Sequence, residues 1–309
     1  MPVPQAAADY YAAQQRLAAA VIANVRRLWQ QVGLDLDAGW SQARPRLTAL
    51  VSAGQYAAAQ AVEPYLAEVL SETGQIDEAV TRIRPLSFVG VAGDGRPVET
   101  LLYGSVTTTK RSIATGATPA VARAAGSAWL DMAVQTVLAD TGRAATGVGI
   151  AVRPTITGYV RMLNPPSCSR CTVLAGRWYR WSAGFARHPH CDCRHIPASE
   201  NVAGDLTTSP LGYFESLSAA EQDRIFTVAG AQAIRDGADL GQVVNARRGM
   251  QRAVDGTAST TSGTSARSLA GRRMAANGDT VRLMPESIYE IAADRTEAIE
   301  LLARFGFVS

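Results

Sequence analysis

Lysine is almost missing from this chain: of thirty basic residues, only Lys110 is a lysine. Histidine numbers three and cysteine four in 309 residues. These shortages exclude several kinds of chemistry. A Ser-His-Asp hydrolase needs a histidine base with no other duty, and a Ser–Lys dyad could draw only on Lys110. Ser105 precedes that lysine by five residues and Ser112 follows it by two, spacings that do not bring both groups onto one helical face. No HExxH, Walker A or GxGxxG pattern occurs. The small-residue run from Gly142 to Gly149 lacks the strand that would precede a nucleotide loop. Carboxylate pairs such as Asp35 with Asp37, or Asp236 with Asp239, read as helix caps and solvated faces. No apolar run approaches the ~18 residues that would span a bilayer. The opening Met-Pro-Val-Pro has neither the basic start nor the apolar core of a secretory signal, so the expectation is a chain made in the cytosol with no membrane partner. A net charge of +3 is too small by itself to imply a polyanionic partner. What remains points to a protein that binds and assembles.

Apolar residues make up 47% of the chain, enough for real cores, and the length suggests about two domains. The first half has helical texture. Leu17, Val21, Val25, Leu28, Trp29 and Val32 form one apolar stripe between Ala6 and Val32, which Gly33 ends. Further helical patterns run through Trp40 to Leu50, Tyr56 to Leu70 and Val98 to Ile113, with Pro45 and Pro64 as first-turn positions or kinks. Thr118-Pro119 reads as a cap and first-turn proline opening a long helix that ends near Gly142. At Gly158 the pattern changes: Tyr159 to Leu163 alternates like a strand, and Trp178 to Trp181 fits the far arm of a hairpin. Helices return after Pro197, with Ser218 and Glu221 as a capping box. Gly256 to Gly271, rich in Ser, Thr and Gly, reads as a mobile linker. Asp294 is a plausible cap and Gly306 a plausible stop in the tail. The predicted organisation is a helical N-terminal domain over 1–157, a zinc-binding module over 158–200, a helical segment over 201–255, a flexible linker over 256–280 and a helical tail over 281–309. The fold class is mainly α, with a small zinc-stabilised, β-containing module in the middle.

Every cysteine and histidine lies in "NPPSCSRCTVLAGRWYRWSAGFARHPHCDCRHIP", Asn164 to Pro197. Cys168-x2-Cys171 precedes Cys191-x-Cys193 by nineteen residues, and His188 stands three before Cys191. A CxxC turn lets two thiolates chelate one ion, and a second pair closes a tetrahedral shell at ~2.3 Å. Structural zinc is the favoured reading. Four cysteines suffice by count, His188 could replace one, and His190 and His195 read as surface or supporting groups. Two disulfides are the bland alternative, disfavoured in a reducing compartment. A catalytic Cys–His pair is the third, and it would gain nothing from three further thiols. Arg161, Arg170, Arg177, Arg180, Arg187 and Arg194, interleaved with Trp178, Tyr179, Trp181 and Phe185, also suit a nucleic-acid surface. The competing reading makes the aromatics the core of a small module that otherwise buries little.

The pattern CxxC, then glycine and aromatics, then His-Pro-x-Cys-x-Cys resembles the phage Mu protein F-like (MuF-like) family of minor head proteins. The later "YFESLSAAEQDRIFTVAGAQAIRDGADLGQVVNARRGM" is similar to the versions carried by phages and prophages of actinobacteria. The motif covers roughly Tyr159 to Ala198, and weaker similarity runs over most of the chain. Cys168, Cys171, His188, Cys191 and Cys193 match the recurring positions. The resemblance implies a few-copy virion component at the portal vertex and capsid interior, present in host cytoplasm during assembly and acting in head morphogenesis and DNA packaging or ejection. Portal protein and capsid subunits are its implied partners, and packaged double-stranded DNA a further candidate. Genes in this position also carry the label of capsid maturation protease, and the histidine inventory argues against that alternative.

Overall fold

The computed structural model describes residues 3–33, 35–184, 193–206 and 209–308, the side chain of Asp205 aside. Two compact, discontinuous units emerge: Met1–Asn164 with Arg177–Thr207, and Pro165–Gly176 with Thr208–Ser309. The expected five-part division therefore gives way to two units, and the segment 158–200 is shared between them. Among the described residues, no helix is long and apolar enough to cross a membrane.

In the first unit, α1 spans Gln5–Gln30, α2 Leu36–Gln60, α3 Val62–Glu72, α4 Val98–Leu102, α5 Gly104–Ala114 and α6 Pro119–Ala151. The stripe on α1 is the buried one: Val21, Val25 and Trp29 share a core with Leu47 and Val51 of α2 and Val134 and Leu138 of α6. Caps set the helix starts, because a first turn has amides with no helical acceptor. Asp35 accepts from the Ala38 amide, and Thr118 from that of Val121, with Pro119 in the first turn. Pro64 takes an early position in α3, whereas Pro45 lies inside α2.

Helix α6 continues past Gly142 to Ala151. Gly126, Gly142 and Gly149 within it are places of close packing, not stops. A Cβ on Gly149 would strike Leu66 Cδ1 of α3 and come within 2.9 Å of Ile83 Cδ1. After α6 come β1 (Gly158–Met162), β2 (Trp178–Arg180) and β3 (Arg194–Ala198), in the order β2-β1-β3 with antiparallel pairing throughout. Gly158 faces both Arg180 and Ala198, and a Cβ there would strike the Tyr179 carbonyl oxygen. The expected hairpin is β1 with β2, while β3 had no sequence signal. Tyr159, Val160, Met162 and Ile196 join Leu66, Val69 and Leu70 of α3 in a second core. The sheet is thus part of the helical unit and not a module that folds around an ion alone.

In the second unit, α7 spans Ser169–Val173, α8 Pro210–Ser216, α9 Ala219–Phe226, α10 Val228–Arg235 and α11 Leu240–Ala246. Then come β4 (Met250–Arg252), β5 (Ala258–Thr260), α12 (Leu269–Asn277), β6 (Arg282–Leu283), α13 (Pro285–Ile291) and α14 (Arg295–Arg304). The capping box of Ser218 and Glu221 forms at α9, and Asp294 caps α14. Helices α9 and α10 meet at Thr227, whose φ of 70° is a strained value for a β-branched residue.

The segment 256–280, expected to be a flexible linker, instead contributes β5 between β4 and β6, followed by α12. Its hydroxyls satisfy nearby backbone groups. Thr260 Oγ1 donates to the Ala246 carbonyl, and Ser268 Oγ accepts the Gly271 amide to cap α12. Ala258 and Met274 reach a core with Phe214, Phe226, Val243, Ile288, Leu302 and Phe307. Arg282, 1% exposed, ties that core to the chain end. It donates to the carbonyls of Phe305, Ser262 and Gly306 and stacks 4.3 Å from the Phe307 ring.

Candidate functional site

Strand β1 leads through buried Asn164 to the CxxC turn, and at Pro165 the chain passes into the second unit. The Ser167 amide donates to the Tyr213 hydroxyl of α8 at 2.9 Å, fixing the approach. Cys168 is the N-cap of α7, and its Sγ accepts the Cys171 amide at 3.4 Å. The Cys168 carbonyl accepts both the amide and the hydroxyl of Thr172, each at 3.0 Å. Cys168 is exposed, Cys171 is buried, and Val173 packs on the second unit's core. A cap-to-third-residue spacing across one helical turn is the local geometry that lets two thiols reach one ion.

Cys193 belongs to the first unit and enters β3 with 1% exposure. Arg161 Nη2 of β1 donates to its Sγ at 3.2 Å, and Arg143 Nη1 of α6 donates to its carbonyl at 3.1 Å. Arg143 also pairs with Asp140 at 2.6 Å, and Arg194 Nη1 donates to the Ala139 carbonyl at 3.1 Å. The guanidiniums of Arg161 and Arg194, expected on an Arg-rich face, are therefore buried. They turn inward because the chain around Cys193 presents carbonyls and a thiol that call for donors. Arg170, Arg177 and Arg180 are exposed. Trp178 Nε1 donates to the Ala198 carbonyl, and Trp178 and Tyr179 pack on the core of the first unit, whereas Trp181 is half exposed.

His195 is the one histidine among the described residues. Its ring lies 4.0 Å from that of Tyr159, which in turn stacks on Tyr179. The Tyr65 hydroxyl donates to the His195 carbonyl at 2.6 Å, and burial holds the Tyr65 hydroxyl well above its ordinary range, with Tyr10 beside it adding to the effect. Asp140, Arg143, Tyr159, Trp181 and His195 border a cavity of about 260 Å³ in the first unit. The participation of α6 was not anticipated. The signal was present in the sequence: Asp140 and Arg143 are the only charges from Met132 to Val152 and sit three apart.

His188, His190 and Cys191 lie outside the described residues. Among the described residues, no three His, Cys, Asp or Glu side chains are grouped so as to hold a metal ion. The Ser–Lys alternative meets a direct obstacle. Lys110 Nζ bonds Asp37 at 2.7 Å on the surface, while Ser105 is buried with its hydroxyl donated to the Leu102 carbonyl. No family model, no curated protein and no solved structure matches the chain.

Proposed function

We propose that this chain is a MuF-like minor head protein of a bacteriophage, a structural component of the virion that acts with portal and capsid subunits in head morphogenesis and in DNA packaging or ejection. The observation that carries the reading is the spacing of Cys168, Cys171, His188, Cys191 and Cys193 within one segment, set in a mainly helical chain. A structural zinc drawing its ligands from these five residues is part of the proposal. The donor set is soft, as zinc prefers. Two details support it: Cys168 caps α7 with its sulfur on the Cys171 amide, and Arg161 donates to Cys193 as an outer group does to a metal-bound thiolate. Such an ion would fix the segment's backbone and take no part in a reaction.

Mass spectrometry of purified particles from the source phage or prophage tests the reading. A chain present in mature heads at far fewer copies than the major capsid subunit is the expected result, and its absence from heads would overturn it. Metal analysis of the purified chain should return about one zinc per molecule. Zinc lost in Cys168→Ser but retained in the exposed-residue control Arg170→Gln is the expected pattern. A metal-free wild type with intact disulfides would replace the zinc part of the proposal.

A further inference from the structure

Apart from Arg282 and Arg273, whose guanidiniums bond backbone carbonyls, the second unit treats its arginines in two main ways. Arg235 pairs with Asp223, Arg247 with Glu286, Arg295 with Asp236 and Arg304 with Asp279. Arg248, Arg252, Arg267 and Arg272 are exposed, and none of them meets a carboxylate among the described residues. Arg252 donates to the Gly256 carbonyl at 3.1 Å and Arg272 to the Arg267 carbonyl at 2.7 Å. From Arg247 to Arg273 the chain holds six arginines and a single acid, Asp255.

The fold gathers this stretch. Thr261 donates its amide to the Gly249 carbonyl, so Arg248 starts beside the Thr261–Ser262 turn. The same loop then doubles back on α12, where Gly271 lies so close that a Cβ would meet the Ser265 and Thr264 carbonyls. Arg267 and Arg272 therefore flank the first turn of α12, which carries no acid and whose amides add partial positive charge. Arg252 stands on the outer end of β4, in register with Ala258. It also borders a cavity of about 470 Å³ with Glu286 and Glu290, which makes it the weakest of the four for an anion.

We propose that Arg248, Arg267 and Arg272, with Arg252 at the margin, form a docking surface for the phosphate backbone of double-stranded nucleic acid. The chemistry around them selects this partner. Eight serines and threonines lie from Thr257 to Ser268, short hydroxyls of the kind that join arginines on phosphate oxygens. No Phe, Tyr or Trp occurs between Phe226 and Tyr289, so the stretch that carries the four arginines supplies no platform on which unpaired bases could stack, and Tyr289 alone borders the cavity beside Arg252. A duplex, read through its charge and not its sequence, fits; a single strand does not. None of these arginines belongs to the Cys/His segment, and the inference rests on the reading above that the chain works beside a packaged genome.

Fluorescence anisotropy of the full chain with a short labelled duplex, titrated between about 50 and 200 mM salt, tests it. Each phosphate contact contributes about 0.9 to the slope of log affinity against log salt, so replacing all four arginines by glutamine should flatten the slope by up to about 3.6 and weaken binding on the order of 100-fold at the lower salt. Arg26→Gln with Arg27→Gln in the first unit should leave the slope unchanged. If the fourfold variant does not fold, Arg267→Gln and Arg272→Gln singly should each lower the slope by about 0.9. An unchanged slope in the variants, oligo-dT bound as tightly as duplex, polyglutamate competing equally at matched charge, or no duplex binding by the wild type would each overturn the proposal. Duplex binding by a chain absent from virions would sink only the head-protein reading. A chain found in virions whose slope ignores these arginines would sink only this surface.

Discussion

The two units use the same abundant residue for different physical ends. In the first, Arg143, Arg153, Arg161 and Arg194 are buried, and their bonds run to the Cys193 carbonyl, the Gly149 carbonyl, the Cys193 sulfur and the Ala139 carbonyl. Carboxylates neutralise some of this charge: Arg153 holds Glu63 and Asp77, and Arg143 holds Asp140. The second unit buries a single arginine among its described residues, Arg282, and keeps the rest at least partly exposed, in ion pairs, on backbone carbonyls or facing water. A guanidinium brings five donors, so it is drawn inside wherever irregular backbone leaves several carbonyls together. Around the Phe305–Gly306 turn in the second unit that condition is met, whereas in the first unit Arg153 and Arg194 reach carbonyls of α6 itself, those of Gly149 and Ala139. Charge composition alone cannot say which arginines will be pulled in.

The comparison can be broken most severely at Arg282. Burial pushes its guanidinium down to about 10, still charged at neutral pH, and Arg282→Met would strip the donors from three buried carbonyls. The expected cost is about 3 kcal/mol, read as a lower urea midpoint for the second unit by hydrogen exchange, with amides of α1 and α6 unaffected. Arg161→Met should act in the opposite unit, at a cost of about 2 kcal/mol, because it takes the guanidinium donor away from the buried Cys193 sulfur. Equal losses in both units would mean that the distinction drawn here is false.

A finer test uses pH. The Asp236 carboxyl lies below its ordinary range even though burial acts to raise it, because the Tyr289 hydroxyl, the Gln232 amide and Arg295 outweigh the burial. A carboxyl depressed in the folded state contributes stability that is complete above its unfolded pKa of ~3.9 and fades as pH falls through the lower folded value. Wild-type protein should therefore weaken as the pH drops below about 4. Asp236→Asn should start about 1–2 kcal/mol less stable at neutral pH and show a flatter acid limb in thermal melts. The smallest effect belongs to Ser218→Ala. Losing the reciprocal cap with Glu221 should cost about 1 kcal/mol, confined to α9 and its neighbours.

Local rules were readable where a side chain acts on its own backbone. Thr118 with Pro119, Ser218 with Glu221, and Asp294 all stand where their chemistry places a helix start. The α1 stripe was legible because its period repeats over several turns. What escaped notice depends on partners distant in the chain. The glycines of α6 look like stops until Leu66 is known to press on Gly149. Thr257 to Ser268 looks like a tether because its apolar content is slight, yet β4 and β6 supply the pairing that holds Ala258 and Thr260. At the candidate site, the CxxC turn could be inferred from spacing, but not the short helix α7 that it opens. The guanidinium on Cys193 could not, since an arginine on a strand carries no mark of which way it will turn.

The route of the chain between the units has a practical consequence. It passes from one to the other after Asn164, back after Gly176 and over again after Thr207. No contiguous stretch of the gene encodes either unit whole. A fragment ending at Thr207 would carry α7 without the partners of Val173, and one starting at Thr208 would leave a gap in its core where that valine belongs. Truncation is thus a poor way to dissect this protein. Point substitutions, or a circular rearrangement that restores α7 to its own unit, are the instruments that respect how it is built.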